Sequence, residues 1–281
     1  LKHLMQAPSG WLNARWAAPA HIVAGTTTRH ALGNEGASHA AALASYNLGL
    51  KVGDDPASVA LNRASLRTFL QQQLAVEASE SFNATAQEPH MRWLDQVHGN
   101  ACIHIDRHQI EKFEHPPQAD SMWSDLPGVA LAIQSADCVP VVLTDASGEL
   151  IGAAHGGWRG LTEDVLASLI EAMPINPDGL CAWIGPCIGP GHFEVGEDVW
   201  GLLMKEYASF VLDHPSDVSK RLVDLPHLAA HQLSVSGVNK VALSGVCSYA
   251  SIDMYSHRRA TEQHGQGAQT GRMATVICRG H

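Results

Sequence analysis

Residues 134–143 read QSADCVPVVL, an apolar run that looks like a buried strand with Asp137 and Cys138 at its mouth. Short runs of the same kind surround it, ACIHI and VALAIQ before it and LIGAAH after it, and each predicts a strand. DDPASVALNRASLRTFLQQQL carries apolar residues at helical spacing behind an Asp-Asp-Pro start, which predicts a helix with an N-cap and an early proline, covering a sheet. LTEDVLASLIEAM, GEDVWGLLMKEYASFV and DLPHLAAHQLSVSG read as further helices, the last ending at Gly237. KVALSGV reads as a strand, and RMATVICR as a closing one. The fold class is mixed α/β. AQEPHMRW and EKFEHPPQAD read as connections, and no linker is long enough to separate a pair of domains, so residues 1–281 are expected to form a single domain.

At 281 residues and 45% hydrophobic the chain can bury a sizeable core. Its formal charge of −10 and the lack of any basic run argue against a nucleic-acid surface and for a small-molecule partner. No stretch reaches the roughly 18 uncharged apolar residues of a membrane span, and LKHLMQAPSGWLNARW lacks a signal-peptide core. A cytoplasmic protein is expected. The cysteines at 102, 138, 181, 187, 247 and 278 are scattered without a CxxC pair, which suits reduced thiols. Nothing in the sequence speaks to oligomeric state.

Cys138 is either a small buried hydrophobe or a thiolate, nucleophile or metal ligand. His98 stands beside a glycine in DQVHGN, and LIGAAHGGWRG delivers His155 into Gly156-Gly157 ahead of Trp158 and Arg159. Two glycines permit close backbone approach, and Arg159 offers a planar fork to a phosphate; the plainer reading is a tight strand-to-helix turn with an exposed arginine. His98, Cys138 and His155 are donor types that suit zinc, and three protein ligands leave a fourth position open, as in catalytic sites. Their spacing matches no local zinc signature, so only tertiary folding could assemble them. A nucleophilic pair of Cys138 with His155 is the rival use of the same residues.

The motifs TTRHALGNEG, SYNLGLKVGDD, DQVHGN, ADCVPVVL, AAHGGWRG, IGPCIGP and YSHRR followed by TGRMA occur in this order over nearly the whole chain. Jointly they resemble the YfiH-like family, long labelled multicopper polyphenol oxidase or laccase-domain proteins. The resemblance implies two mixed sheets packed together and covered by helices, an α/β/β/α sandwich. It implies zinc-dependent purine nucleoside chemistry: phosphorolysis of adenosine, inosine, guanosine or methylthioadenosine, and deamination of adenosine to inosine. It also makes His98, Cys138 and His155 the metal ligands and links some members to peptidoglycan editing. Two departures stand near the presumed pocket rim: His257 replaces the tyrosine expected in MYSHRR, and ATEQHGQGAQ is longer than expected.

A multicopper oxidase needs many imidazoles, usually as His-x-His pairs, and none occurs here. The pairs His104/His108 and His227/His231 read as structural or surface residues. Copper could replace zinc at a three-ligand site and give incidental oxidase activity. Phosphorolysis calls for groups that hold phosphate against the anomeric carbon, for which Arg159, Arg258 and Arg259 are the candidates, with Arg63 either another or a solvated helix-face residue. Asn47 touches substrate or makes a turn; Asp137 orients a ligand, shuttles a proton or caps a strand end. Cys187, between two Gly-Pro turns, reads as a buried spacer shaping a pocket wall with Phe193, and Trp158 and Tyr255 either stack on a purine or fill core. Two rival functions remain open: a Cys138/His155 hydrolase acting on an amide or cell-wall precursor, and a binding or editing module whose zinc is structural.

Overall fold

The computed structural model describes residues 10–32, 46–78, 87–112 and 115–280. One mixed sheet runs in the order β1 (Trp11–Asn13), β2 (Ile22–Thr27), β14 (Met273–Arg279), β6 (Val129–Ser135), β3 (His90–Trp93). A second runs β13 (Lys240–Leu243), β9 (Leu180–Ile184), β7 (Val139–Asp145), β8 (Ile151–Gly156), β5 (Ser121–Ser124), β4 (Cys102–His104). Each is mostly antiparallel, with parallel pairs at β3/β6 in the first and at β13/β9 and β4/β5 in the second. A small antiparallel sheet sets β12 (Arg221–Val223) between β10 (Glu194–Val195) and β11 (Val211–Asp213).

The burial pattern of the central strands explains the layering. Leu131 and Ile133 of β6 join Ile22, Ala24 and Ile277 of the first sheet in one buried cluster with Val142, Ile151, Ala153 and Trp183 of the second. The alternate residues Ala130 and Ala132 lie on the other face, where their small side chains let Leu66, Phe69, Leu70 and Leu74 of α1 (Pro56–Ala78) pack close. The outer face of the second sheet is covered in the same way by Leu166 and Leu169 of α4 (Val165–Ala172) and Leu228 and Leu233 of α6 (Leu225–Val235). The expected α/β/β/α sandwich follows. Strands buried on both faces lose the polar alternation of a half-exposed strand, so their sequences read as unbroken apolar runs.

α1 starts where its cap predicts: Pro56 is the first helical residue, and the Asp55 carboxylate accepts the Ser58 amide at 3.1 Å. Elsewhere the boundaries differ. LTEDVLASLIEAM is two helices, α3 (Trp158–Thr162) and α4, separated at Asp164 with φ 59°. GEDVWGLLMKEYASFV supplies only α5 (Glu197–Leu203) before a 3₁₀ turn at Ala208–Phe210. AQEPHMRW is no mere connection, because HMRW pairs with β6 as the edge strand β3. EKFEHPPQAD overlaps the end of α2 (Arg107–Lys112), and the start of AQEPHMRW and residues 113–114 lie outside the described residues. α7 (His257–His264) takes up SHRR, with the Ser256 hydroxyl accepting the Arg259 amide as its N-cap. Among the described residues no helix is long and apolar enough to cross a membrane.

Candidate metal centre

The site forms where the chain changes sheets. β6 ends at Ser135 in the first sheet and β7 begins at Val139 in the second, so Ala136, Asp137 and Cys138 are the crossing. Asp137 adopts φ 102°, a region that disfavours side-chain-bearing residues. Three bonds hold it there: its carbonyl accepts the Ile188 amide at 2.9 Å, and its carboxylate accepts the Ser248 hydroxyl at 2.6 Å and the Arg258 amide at 2.7 Å. The clamp aims Cys138. In the β7/β8 ladder Pro140 lies opposite His155 and Val139 opposite Gly156, which brings His155 to the same end. A Cβ on Gly157 would stand 2.9 Å from the His98 ring and 3.2 Å from Cys138 Sγ, so only glycine admits the three side chains.

His98 arrives on a turn with φ 64°. The amides of Val97, His98 and Gly99 donate to the Asp120 carboxylate at 3.1, 3.0 and 2.8 Å, and Asp120 Oδ1 lies 2.8 Å from His155 Nδ1. One fully buried carboxylate thus fixes the turn that carries one imidazole and the ring orientation of the other. The ligating atoms of His98, Cys138 and His155 lie within 4.8 Å of one another. Cys138 Sγ is 3.9 Å from His98 Nε2, and the two imidazole rings meet edge to face at 4.8 Å.

Burial by itself raises the Cys138 thiol, but the His155 imidazolium and then the His98 hydrogen bond outweigh it and bring the thiol down to about 6. Burial lowers His155, and the Cys138 thiolate and Asp120 more than offset this, raising it to about 9. Asp120 is desolvated too, yet His155 and the amides of Gly99 and Val97 hold its carboxyl below the usual range. A thiolate and two imidazoles, one oriented by a carboxylate, fit one thiophilic divalent ion such as zinc, with copper as a possible substitute. Among the described residues this is the one group of three or more such donors that converges.

The other candidates are already engaged. Asn47 is fully buried; its Oδ1 accepts the amides of Gly49 and Arg272, and its Nδ2 donates to Gly49 O and Asp54. Arg63 donates Nε and Nη2 to Leu48 O and lies 4.0 Å over the Trp93 ring, so it is no solvated helix-face residue. Arg258 donates to the carbonyls of His192 and Glu194, and Arg259 to those of Ser248, Tyr249, Ser251 and Met254. Those guanidinium groups stitch loops together. Arg159 is exposed, with its guanidinium 4.2 Å over the Trp158 ring. Cys187 is buried, Tyr255 is core at 1% exposed, and half-buried Trp158 packs against the core of the second sheet. His257 is exposed, 3.3 Å from the Thr261 hydroxyl, and α7 absorbs ATEQH of the longer segment. His104 stacks on Trp123 and His227 bonds Asp224, matching structural roles for those histidines.

Sequence reasoning missed Asp120. Its only signal is a carboxylate after a Pro-Pro turn and before the short strand SMWS, and its partners come from residues 97–99 and 155. It also passed over Arg272, which enters through backbone bonds to Asn47 and Leu48.

Residues 23–280 match the family described as multi-copper polyphenol oxidoreductase laccase. A purine nucleoside phosphorylase of Pseudomonas aeruginosa is 34% identical over 275 residues, covering 96% of this chain and 98% of that protein. The purine nucleoside phosphorylase YfiH of Escherichia coli is 32% identical over 234 residues, covering 83% and 86%. Among solved structures, a Neisseria meningitidis protein superposes with TM-score 0.78 at 33% identity over 96% of this chain and 99% of that one. YlmD of Geobacillus stearothermophilus gives 0.77 at 30% over 98% of both. With the match running through every element that builds the site, the chain belongs to this YfiH-like, laccase-described family.

Proposed function

We propose that this protein is a metal-dependent purine nucleoside phosphorylase that uses His98, Cys138 and His155 as ligands. Its substrates are adenosine, inosine, guanosine or methylthioadenosine with inorganic phosphate, and it also deaminates adenosine to inosine. The observation that carries the reading is the convergent His-Cys-His group with Asp120 behind it, in a chain whose relatives bear the phosphorylase name. One convergent three-donor group among the described residues suits one ion better than the several that a multicopper oxidase holds. Bound there, a divalent metal supplies Lewis acidity toward a water or a substrate oxygen. The chain does the rest. Asp120 keeps a proton on His155 Nδ1 and so presents Nε2 as the ligand; Asp137 holds the strained crossing that sets Cys138; Gly157 leaves the room they need.

The test is chromatography of metal-loaded protein incubated with adenosine, with and without phosphate, beside Cys138→Ser. Adenine formed only with phosphate, together with inosine formed in either case, both lost in the variant, is the expected result. Absence of product from adenosine, inosine and methylthioadenosine sinks it.

The low thiol pKa of Cys138 beside His155 favours a second reading, a cysteine hydrolase acting on an amide or cell-wall precursor. It predicts a covalent Cys138 adduct with an amide substrate, formed by metal-free protein and blocked by added zinc.

A further inference from the structure

Phosphorolysis needs an anion site, and the arginines that the motifs suggest are mostly spent on carbonyls. Arg272 is different. It precedes Met273, which pairs with Ser135 at the end of β6, so Arg272 runs alongside the crossing that delivers Cys138. Its backbone is held on both sides: its amide donates to Asn47 Oδ1 at 2.8 Å, and its carbonyl accepts the Leu48 amide at 3.1 Å. Its stem is boxed in as well. A Cβ on Gly49 would stand 2.7 Å from Arg272 Cγ, and one on Gly271 would stand 2.5 Å from the Tyr255 ring.

Within this box the guanidinium is half satisfied. Nη1 donates to the carbonyls of Thr270 and Gly271 at 2.9 and 3.2 Å. Among the described residues Nε and Nη2 make no hydrogen bond, and no carboxylate lies within ion-pair distance. Those two N–H groups form the edge that grips an oxyanion with two parallel bonds. The charge is also partly desolvated: burial pulls the Arg272 pKa down, and the groups that favour its cation are Cys138 and Asp137 of the crossing.

We propose that Arg272, positioned by Asn47 and Gly49, binds inorganic phosphate through its Nε–H and Nη2–H edge. As a substrate site this rests on the phosphorylase reading above. An oxygen of the bound hydrogen phosphate forms a bond to C1′ of the nucleoside, the C1′–N9 bond breaks with its electron pair going to the base, and the phosphate proton passes to the base. The products are ribose 1-phosphate and free purine.

The experiment compares wild type with Arg272→Met and Arg272→Lys, all metal-loaded, by calorimetric titration with inorganic phosphate and by the KM for phosphate and for inosine. Arg272→Met is expected to weaken phosphate binding and raise the phosphate KM by about 30-fold, with a much smaller change for inosine. Arg272→Lys keeps the charge without the fork and is expected to lose about tenfold. It also serves if the methionine variant does not fold. Phosphate affinity equal to wild type in either folded variant overturns the proposal. The two readings fail separately: phosphorolysis with an unchanged phosphate KM removes Arg272 from the site. Phosphate binding lost with Arg272, in a protein that turns over no nucleoside, keeps the anion site and removes the phosphorylase.

Discussion

Cys138 and Cys187 sit on either side of one backbone bond, the Ile188 amide donating to Asp137 O. Both are free thiols beside an apolar run and a tight turn, and as sequence the first reads as a thiolate, nucleophile or metal ligand or a small buried hydrophobe, the second as a buried spacer. Their surroundings make them opposites. Cys138 faces two imidazoles and comes down to about 6. Cys187 faces burial first of all, with repulsion from the Asp137 carboxylate and the Cys138 thiolate behind it, and these push its thiol up. Partners, rather than the residue or its turn, decide which cysteine can be a ligand.

The comparison breaks most visibly at Cys138. Cys138→Ser exchanges a thiolate for a neutral hydroxyl and is expected to lower bound zinc below half-occupancy and phosphorolysis by about 10³-fold, read by metal analysis and product chromatography. A serine variant with full metal and turnover removes Cys138 from the site.

Asp120→Asn tests the support behind the difference. The asparagine keeps the shape but replaces one acceptor oxygen with an NH₂ among three amide donors and the His155 N–H. Zinc affinity is expected to fall by about 10–100-fold in a chelator competition. An unchanged affinity would mean that the His155 ring is oriented without Asp120.

The thiols can also be compared directly in metal-free protein. Between about pH 6 and pH 9 the pair is thiolate with imidazolium, because Cys138 gives up its proton near the lower value and His155 keeps its own to near the upper. Alkylation with iodoacetamide at about pH 7.5 is expected to run about tenfold faster at Cys138 than at an ordinary exposed thiol in thiolate fraction alone, with Cys187 unreacted. The rate holds as pH falls to about 6 and drops below it. Peptide mass mapping reads all of this, and a rate that instead climbs steadily toward pH 9 shows an unperturbed Cys138.

The sequence carries the layers well, because strands such as VPVVLTD and VALAIQ are buried on both faces and cannot be mistaken for loops. It carries the edge strands of the first sheet poorly. HMRW is partly exposed and has a strand neighbour on one side alone, β6, so its own residues give no strand pattern. Asp164 breaks a well-patterned helix through a left-handed backbone that no periodicity records. The three ligands are legible as types and through the family's motifs, while Asp120 is legible only after folding brings residues 97–99 and 155 to it. The arginines fail for the same reason: Arg258 and Arg259 look alike as phosphate ligands until the carbonyls they bind are known.

Cys187→Ala is the smallest change and the sharpest control. Its thiol is 4% exposed and packs in the core of the second sheet, so removing one sulfur leaves a small void expected to cost about 1 kcal/mol in a denaturant titration. Metal content and phosphorolysis should stay within twofold, because the clamp on Asp137 runs through the Ile188 amide, the Ser248 hydroxyl and the Arg258 amide and uses no atom of the Cys187 side chain. If zinc stoichiometry falls with Cys187→Ala, the two cysteines act together. The distinction between a ligand set by imidazoles and a spacer set by burial would then have to be abandoned.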